Sequence, residues 1–75
     1  MPKITLLDKQ WTELMALCAN EATYRAEGTH PKLLTLVGSR IDVLAAEMGF
    51  SERRIASRDF RAERNGDHIS RIIAD

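Results

Sequence analysis

The sequence predicts an all-α fold, a small bundle of four to five helices that contains a helix-turn-helix-like unit. Apolar residues recur at spacings of three and four along most of the chain, which is the helical period. Glycines and N-cap residues separate these stretches, as they do between helices. No segment alternates in the manner of a strand. A chain of 75 residues forms one domain, residues 1–75, with an N-terminal helix at 6–27 and the helix-turn-helix-like unit at 31–75.

The first predicted helix spans residues 6–27. Thr5 and Asp8 have the spacing of a capping box, with Asp in place of the usual Glu. An apolar stripe follows at helical spacing: Leu7, Trp11, Leu14, Met15, Cys18 and Ala22. Gly28 is expected to end the helix as a C′ glycine. The residues off the stripe are expected to face solvent: Lys9, Glu13, Asn20, Glu21 and Arg25.

The second helical stretch begins at Pro31, because proline suits the first position of a helix. It allows two interpretations. Either one helix runs from Pro31 to Met48, or a first helix ends at Val37 and a new one begins with Ser39 as its N-cap. Gly38 costs about 1 kcal/mol relative to Ala inside a helix, and the four residues from Ser39 have capping-box spacing. The sequence therefore favours the break.

Two further helices are predicted after this stretch. Ser51 is the N-cap of a helix over residues 52–64. Asn65 and Gly66 are expected to stop that helix, and Asp67 can cap a last short one. The apolar face of the last helix comes from three isoleucines: Ile69, Ile72 and Ile73.

The junction before the predicted helix at 52–64 fits the helix-turn-helix pattern. Ala45 must be small, because the second helix crosses close to it. Gly49 lies in the tight turn, where a positive φ is needed. Ser51 caps the second helix, which would enter the major groove of DNA with its first residues facing the base edges.

Further residues make this junction resemble the second helix-turn-helix of AraC-type transcription regulators. They match the spacing of the family pattern: Leu33-Leu34, Ile41, Leu44-Ala45, Gly49-Phe50-Ser51, Ser57-Arg58 and Phe60-Arg61. Three positions depart from it, with Ala56 in place of the usual Phe, Gly66 one residue late and Ile69 in place of a typical Pro. The resemblance covers roughly residues 33–73. It implies a small DNA-binding transcriptional regulator with residues 52–64 as the recognition helix.

The candidate DNA-binding residues lie on and around that helix: Ser51, Arg53, Arg54, Ser57, Arg58, Arg61 and Arg64. Arg53 and Arg54 would lie near base edges, since Arg pairs well with guanine. Arg61 and Arg64 would contact phosphates, and Arg58 would orient the helix. The alternative is a solvated or protein-binding helix face, because three acidic residues are interleaved: Glu52, Asp59 and Glu63.

Charge limits the DNA-binding interpretation without excluding it. Eleven Lys and Arg balance eleven Asp and Glu, so the formal net charge is zero. This excludes a polybasic protein whose overall charge drives nucleic-acid binding. Residues 51–64 carry five basic and three acidic residues, a local charge of +2. DNA binding would therefore be confined to one short helix, and non-specific affinity would be weak.

No residue pattern indicates a catalytic, cofactor-binding or metal site. Cys18 is the single cysteine, so no intramolecular disulfide can form. His30 and His68 have no second ligand at metal-binding spacing. The sequence lacks a secretory signal and an apolar stretch long enough to span a bilayer. We expect a non-enzymatic, cytoplasmic protein without a cofactor and without a membrane partner.

Two classes of partner stay open, DNA or another protein. The second function would be a small helical protein–protein interaction module, such as an inhibitor or adaptor of a regulatory protein. Leu36 and Val43 lie off the main apolar stripe, and they either mark the seam of a homodimer or face one core from two helices. Two short helices crossing near Gly49, with the arginines exposed together, would favour DNA. One straight helix from Pro31 to Met48, packed on the first helix, would favour a protein partner.

Overall fold

The computed structural model describes residues 4–75, which form three helices followed by a β-hairpin. In chain order the elements are α1 (Leu6–Glu27), α2 (Pro31–Met48), α3 (Glu52–Ser57), β1 (Arg61–Asn65) and β2 (His68–Ile73). The prediction of an all-α bundle of four to five helices is wrong, because a two-stranded antiparallel sheet stands where the last helices were expected. α1 and α2 pack against each other as a helical hairpin, and β2 packs against α1.

α1 has the bounds that its capping signals predict. The N–H of Asp8 donates to Thr5 Oγ1 at 3.1 Å, and the N–H of Thr5 donates to Asp8 Oδ2 at 3.1 Å, which completes the capping box. Gly28 ends the helix with a left-handed φ of 70°, and its N–H donates to the carbonyl of Tyr24. Both ends are thus fixed by interactions within a few residues.

α2 runs unbroken through Gly38, so the favoured break between Val37 and Ser39 is wrong. The reason for the glycine lies in the tertiary structure. A Cβ at Gly38 would lie 3.2 Å from Glu21 Oε2 and 3.7 Å from Arg58 Nη2. Glycine is therefore present because two charged side chains pass close to the helix backbone, and the cost of about 1 kcal/mol in helix propensity is tolerated.

The core lies between the two long helices and the segment that follows them. One cluster of buried apolar residues forms it: Leu14, Ile41, Leu44, Ala45, Met48 and Phe50. Phe50 lies in the turn after α2 and contacts two other rings, with centroid distances of 6.5 Å to Trp11 and 4.9 Å to Phe60. Trp11 is thus packed against the core, and Cys18 is half-buried beside it.

α3 ends at Ser57, so the predicted helix over residues 52–64 is wrong. Arg58 adopts the left-handed region with φ of 60°, and the N–H of Asp59 donates to the carbonyl of Arg54 at 3.2 Å. A left-handed conformation costs a non-glycine residue roughly 1–2 kcal/mol. The side-chain contacts of Arg58, described below, offset this cost and take the chain out of the helix.

The chain ends in a β-hairpin and not in the predicted short helix. Gly66, with φ of 66°, forms the tight turn, and Asn65 pairs with His68 across it. The register shifts by one residue along β2, because Glu63 faces Arg71 but Arg64 faces Ile69. The residue skipped is at position 70, which makes a β-bulge.

The bulge places two isoleucines on the same side of the hairpin. Ile69 is buried, and Ile72 packs against the core cluster. Without a bulge, residues three apart in a strand face opposite sides.

Within residues 4–75, no helix is long and apolar enough to cross a membrane.

Candidate functional site

The seven predicted DNA-binding residues do not lie on one helix. Ser51 is the N-cap of α3, and its Oγ accepts from the N–H of Arg54 at 3.3 Å. Ser57 donates its hydroxyl to the carbonyl of Arg54 within the same helix. Arg61 and Arg64 belong to β1. The structure keeps the predicted turn and N-cap, but it gives α3 only six residues, Glu52–Ser57.

Arg54 and Arg61 share one carboxylate. Arg54 Nη1 lies 3.1 Å from Asp59 Oδ2, and Arg61 Nε lies 3.1 Å from Asp59 Oδ1. Arg54 also donates to the carbonyl of Asp59, and only 15% of its side chain is exposed. The predicted role of Arg54 beside a base edge would therefore require it to leave these contacts.

Among residues 4–75, the side chain of Arg58 makes the largest number of hydrogen bonds. Its Nε and Nη2 donate to the two carboxylate oxygens of Glu21 at 3.1 Å each, in a bidentate pair. Its Nη1 donates to Asp42 Oδ1 at 2.6 Å and to the carbonyl of Ile55 at 2.9 Å. The guanidinium thus joins α1, α2 and α3.

Burial acts to lower the pKa of Arg58, but the hydrogen bonds that Arg58 donates to Glu21 and Asp42 outweigh it and raise the pKa above its ordinary value. The side chain therefore stays charged, as its pairing with two carboxylates requires. Only 26% of the Arg58 side chain and 7% of the Glu21 side chain are exposed. Arg58 is accordingly a structural residue that positions α3, and its guanidinium is not free for a ligand.

Glu21 was predicted to face solvent, and this is wrong because its side chain is buried in the Arg58 pair. A signal for its burial was present in the spacing. Glu21 follows Leu14 by seven residues, so the two lie on the same face of a helix. Glu21 was nevertheless expected at the surface because it is charged, and charged residues are rarely buried unless they are paired.

Asp8 forms a second polar junction, between the start of α1 and β2. Its carboxylate accepts from the N–H of Ile69 at 2.7 Å, lies 2.7 Å from His68 Nδ1, and accepts from the Thr5 hydroxyl at 2.8 Å. The hydrogen bond from the Ile69 backbone, and then those from His68 and Thr5, hold the pKa of Asp8 well below its usual range. The pair with His68 therefore fastens the hairpin to the helix.

Two of the predicted arginines are exposed without a carboxylate partner. Arg53 and Arg64 make no ion pair with any residue from 4 to 75. A groove of about 340 Å³ runs beside α3, lined by Arg53, Arg54, Ser57, Asp59 and Asp75. Because two carboxylates line it with the two guanidiniums, its charge is nearly balanced.

A second surface lies on α2, on the side away from the core. We define the outer α2 face by five residues: Lys32, Leu33, Leu36, Val43 and Glu47. Leu36 is 66% exposed and Val43 is 51% exposed, whereas the buried residues of the same helix lie on its opposite side: Ile41, Leu44, Ala45 and Met48. A shallow groove of about 490 Å³ follows the beginning of this face, beside Pro31 and Thr35.

No protein-family model, curated protein or solved structure matches the chain. The resemblance to AraC-type regulators therefore stays a prediction from the sequence. In the part of the chain from residue 4 onwards, no group of three or more His, Cys, Asp or Glu side chains could hold a metal ion. Two surfaces are candidates for a functional role: the outer α2 face and the arginine surface around α3, which consists of Arg53, Arg54, Arg58, Arg61 and Arg64.

Proposed function

We propose that the protein is a small, non-enzymatic protein–protein interaction module that binds its partner through the outer α2 face. One observation carries the proposal. α2 is a single helix of 18 residues that buries one side against α1 and exposes Leu36 and Val43 on the other. An unbroken helix packed in a hairpin is the arrangement that favours a protein partner over DNA.

The spacing on this face suits a partner helix or groove. Leu36 and Val43 are seven residues apart, which is about two helical turns, and so they lie on one line along α2. Leu33, 44% exposed, lies one turn before Leu36. Apolar residues at such spacing are the anchors when a helix face docks into an apolar groove. Full burial of a Leu or Val side chain stabilises a complex by about 1.5–3 kcal/mol.

The arginine surface supports the same choice, because three of its five arginines are already paired with carboxylates. Arg54 and Arg61 are paired with Asp59, and Arg58 is paired with Glu21 and Asp42. Few cations are left to neutralise phosphates, and phosphate neutralisation supplies most of non-specific DNA affinity. At six residues, α3 is also only about 9 Å long.

The test is affinity capture from a lysate of the source cells, with the wild-type chain compared with Leu36→Glu and Val43→Glu. We expect both variants to lose the proteins that the wild type retains after nuclease treatment, because a buried carboxylate opposes docking. Leu6→Glu is the matched control, since Leu6 is exposed to 72% at the start of α1. Equal retention by all four proteins would contradict the proposal.

A second candidate function is the DNA-binding regulator implied by the AraC-type resemblance. It is favoured by the left-handed Gly49 and the Ser51 N-cap at the α2–α3 turn, together with the exposed Arg53 and Arg64. Gel shifts in a salt series test it. Arg53→Ala should weaken specific binding by about 1–3 kcal/mol for a lost bidentate base contact, whereas Lys9→Ala on α1 should not. Absence of any shift at low salt would reject this candidate.

A further inference from the structure

We infer that the partner of the outer α2 face is α2 of a second copy of this chain, packed antiparallel about a twofold axis near Ser39 and Arg40. The inference rests on the proposed function and names its partner. In a twofold interface each contact occurs twice. If one residue of the first copy contacts a different residue of the second copy, the same two positions also meet with the copies exchanged. The N-terminal half of the face must therefore be complementary to the C-terminal half of the same face in the other copy.

The order of residues along α2 meets this requirement. Lys32 and Glu47 are centred on the peptide between residues 39 and 40, and Leu36 and Val43 have the same centre. A twofold axis at that point places Lys32 against Glu47 of the other copy and Leu36 against Val43 of the other copy. One arrangement therefore pairs opposite charges at both ends and apolar side chains between them.

These four residues also share one side of the helix. At 3.6 residues per turn, Lys32, Leu36, Val43 and Glu47 lie within an arc of about 60°. The buried side of α2 is centred roughly opposite this arc, on Ile41 and its neighbours. Lys32 and Glu47 are about 22 Å apart along the axis, so the face spans most of the helix length.

The charges at the two ends are available for such pairing. Within residues 4–75, neither Lys32 nor Glu47 makes an ion pair in its own chain. Arg40, which lies nearest the axis, is held by Glu13 with 3.0 Å between Nη2 and Oε1. Arg40, which would lie beside Arg40 of the other copy, is thus already paired with a carboxylate. The charges of Lys32 and Glu47 are free to pair across the interface.

The charge pattern also sets the orientation. A parallel pair would place Lys32 against Lys32 and Glu47 against Glu47, and like charges at an interface disfavour association. The antiparallel pair replaces both repulsions by attractions. Ser39, exposed at the centre of the helix, leaves room for the two backbones to approach.

The test uses charge reversal and analytical ultracentrifugation. One helix face per chain is smaller than a standard interface, so sedimentation is measured from about 10 µM to about 1 mM protein. We expect a reversible wild-type dimer. Lys32→Glu alone and Glu47→Lys alone should each raise the dimer Kd about tenfold, because two symmetry-related attractions become repulsions. Lys9→Glu on α1 should leave the Kd unchanged.

The mixture of the two single variants gives the decisive measurement. A chain with Glu at both positions and a chain with Lys at both positions should form a heterodimer at least as readily as the wild type forms its homodimer. The double variant Lys32→Glu/Glu47→Lys should recover dimerisation within one chain. A wild type that stays monomeric throughout, or single variants that do not recover on mixing, would overturn the inference.

These outcomes are separable from failure of the proposed function. If the wild type is monomeric but Leu36→Glu still abolishes capture of a protein from lysate, the face binds another protein and only the second copy is rejected. If neither dimerisation nor capture depends on Leu36, both proposals fall. If Leu36→Glu abolishes dimerisation and the charge-reversed chains recover on mixing, the second copy is the partner.

Discussion

Arg58→Met removes the guanidinium that joins three helices while keeping an unbranched apolar stem. Glu21, with 7% of its side chain exposed, then loses both hydrogen bonds of its bidentate pair. Removing one partner of a fully buried ion pair costs about 3–5 kcal/mol. Because the Arg58 side chain is 26% exposed, and because Arg25 Nη2 still lies 3.9 Å from Glu21 Oε1, we expect about 2–3 kcal/mol. The left-handed strain at this position is the same for Met as for Arg, so it does not enter the difference.

Urea unfolding followed by circular dichroism measures this loss. A small domain has an m-value of about 1 kcal/mol per molar urea, so the midpoint of Arg58→Met should fall by about 2–3 M. The matched control is Arg61→Met, whose ion pair with Asp59 is exposed to 66% and 49%. An exposed pair contributes about 0–1 kcal/mol, and the control midpoint should move by less than about 1 M.

A second variant separates the lost attraction from the cost of burying a carboxylate that has lost its bidentate partner. Glu21→Leu/Arg58→Met replaces both partners by apolar side chains, and such exchanges are often neutral. We expect the double variant to regain most of the stability that Arg58→Met loses. The reasoning is refuted if Arg58→Met costs no more than Arg61→Met, or if the double variant is as unstable as the sum of its two single substitutions.

Three further predictions concern pH, backbone strain and thiol chemistry. The pKa of Asp8 is lower in the folded chain than in the unfolded one. The stabilising effect of the Asp8 carboxylate is therefore complete above about pH 4 and is lost as the pH falls below that value. When unfolding is measured at decreasing pH, the free energy of unfolding of Asp8→Asn should decline less steeply than that of the wild type. Gly66→Ala forces a side chain into a φ of 66° and should cost about 1 kcal/mol in urea unfolding. Burial, and then the charge of Glu21, raise the pKa of the Cys18 thiol, so folded protein should react with a thiol reagent more slowly at neutral pH than urea-unfolded protein.

The elements fixed by nearby residues were predictable, and those fixed by distant ones were not. α1 has the predicted bounds because its capping box and its terminal glycine act within a few residues. The break in α2 was expected from the helix propensity of Gly38. In the folded chain the same glycine makes room for Glu21 and Arg58, which come from other parts of the sequence. Local propensity is a weak guide where such tertiary contacts exist.

The hairpin was missed because a bulge gave it a helical spacing. Ile69, Ile72 and Ile73 are separated by three and one residues, which is typical of one helix face. In β2 the extra residue, Ser70, brings Ile69 and Ile72 to the same side, and its hydroxyl donates to the carbonyl of Glu63 at 3.2 Å. The Asn65-Gly66 pair is a hairpin signal as well as a helix stop, but no alternating strand pattern accompanied it.

The candidate site was predictable as a turn but not as a charged surface. The left-handed Gly49 and the Ser51 N-cap follow from the sequence and are confirmed. The sequence placed Arg54 and Arg58 among the candidate DNA-binding residues of one helix over residues 52–64. The helix ends at Ser57, and the two guanidiniums pair with different carboxylates, Arg54 with that of Asp59 and Arg58 with those of Glu21 and Asp42.

The neutral net charge takes a different meaning once the ion pairs are known. Residues 51–64 have a charge of +2 when counted alone. The fold brings Glu21 and Asp42 to Arg58, and when these two carboxylates are included the sum for this region is zero. The net excess of this region is thus balanced within the chain, and among its arginines only Arg53 and Arg64 form no ion pair within residues 4–75. Lys32 and Glu47 are different, because they flank exposed apolar residues on one helix and have opposite signs at its two ends. Such a pattern attracts a polyanion only weakly. It offers a protein partner both apolar contacts and opposite charges that define the orientation of binding.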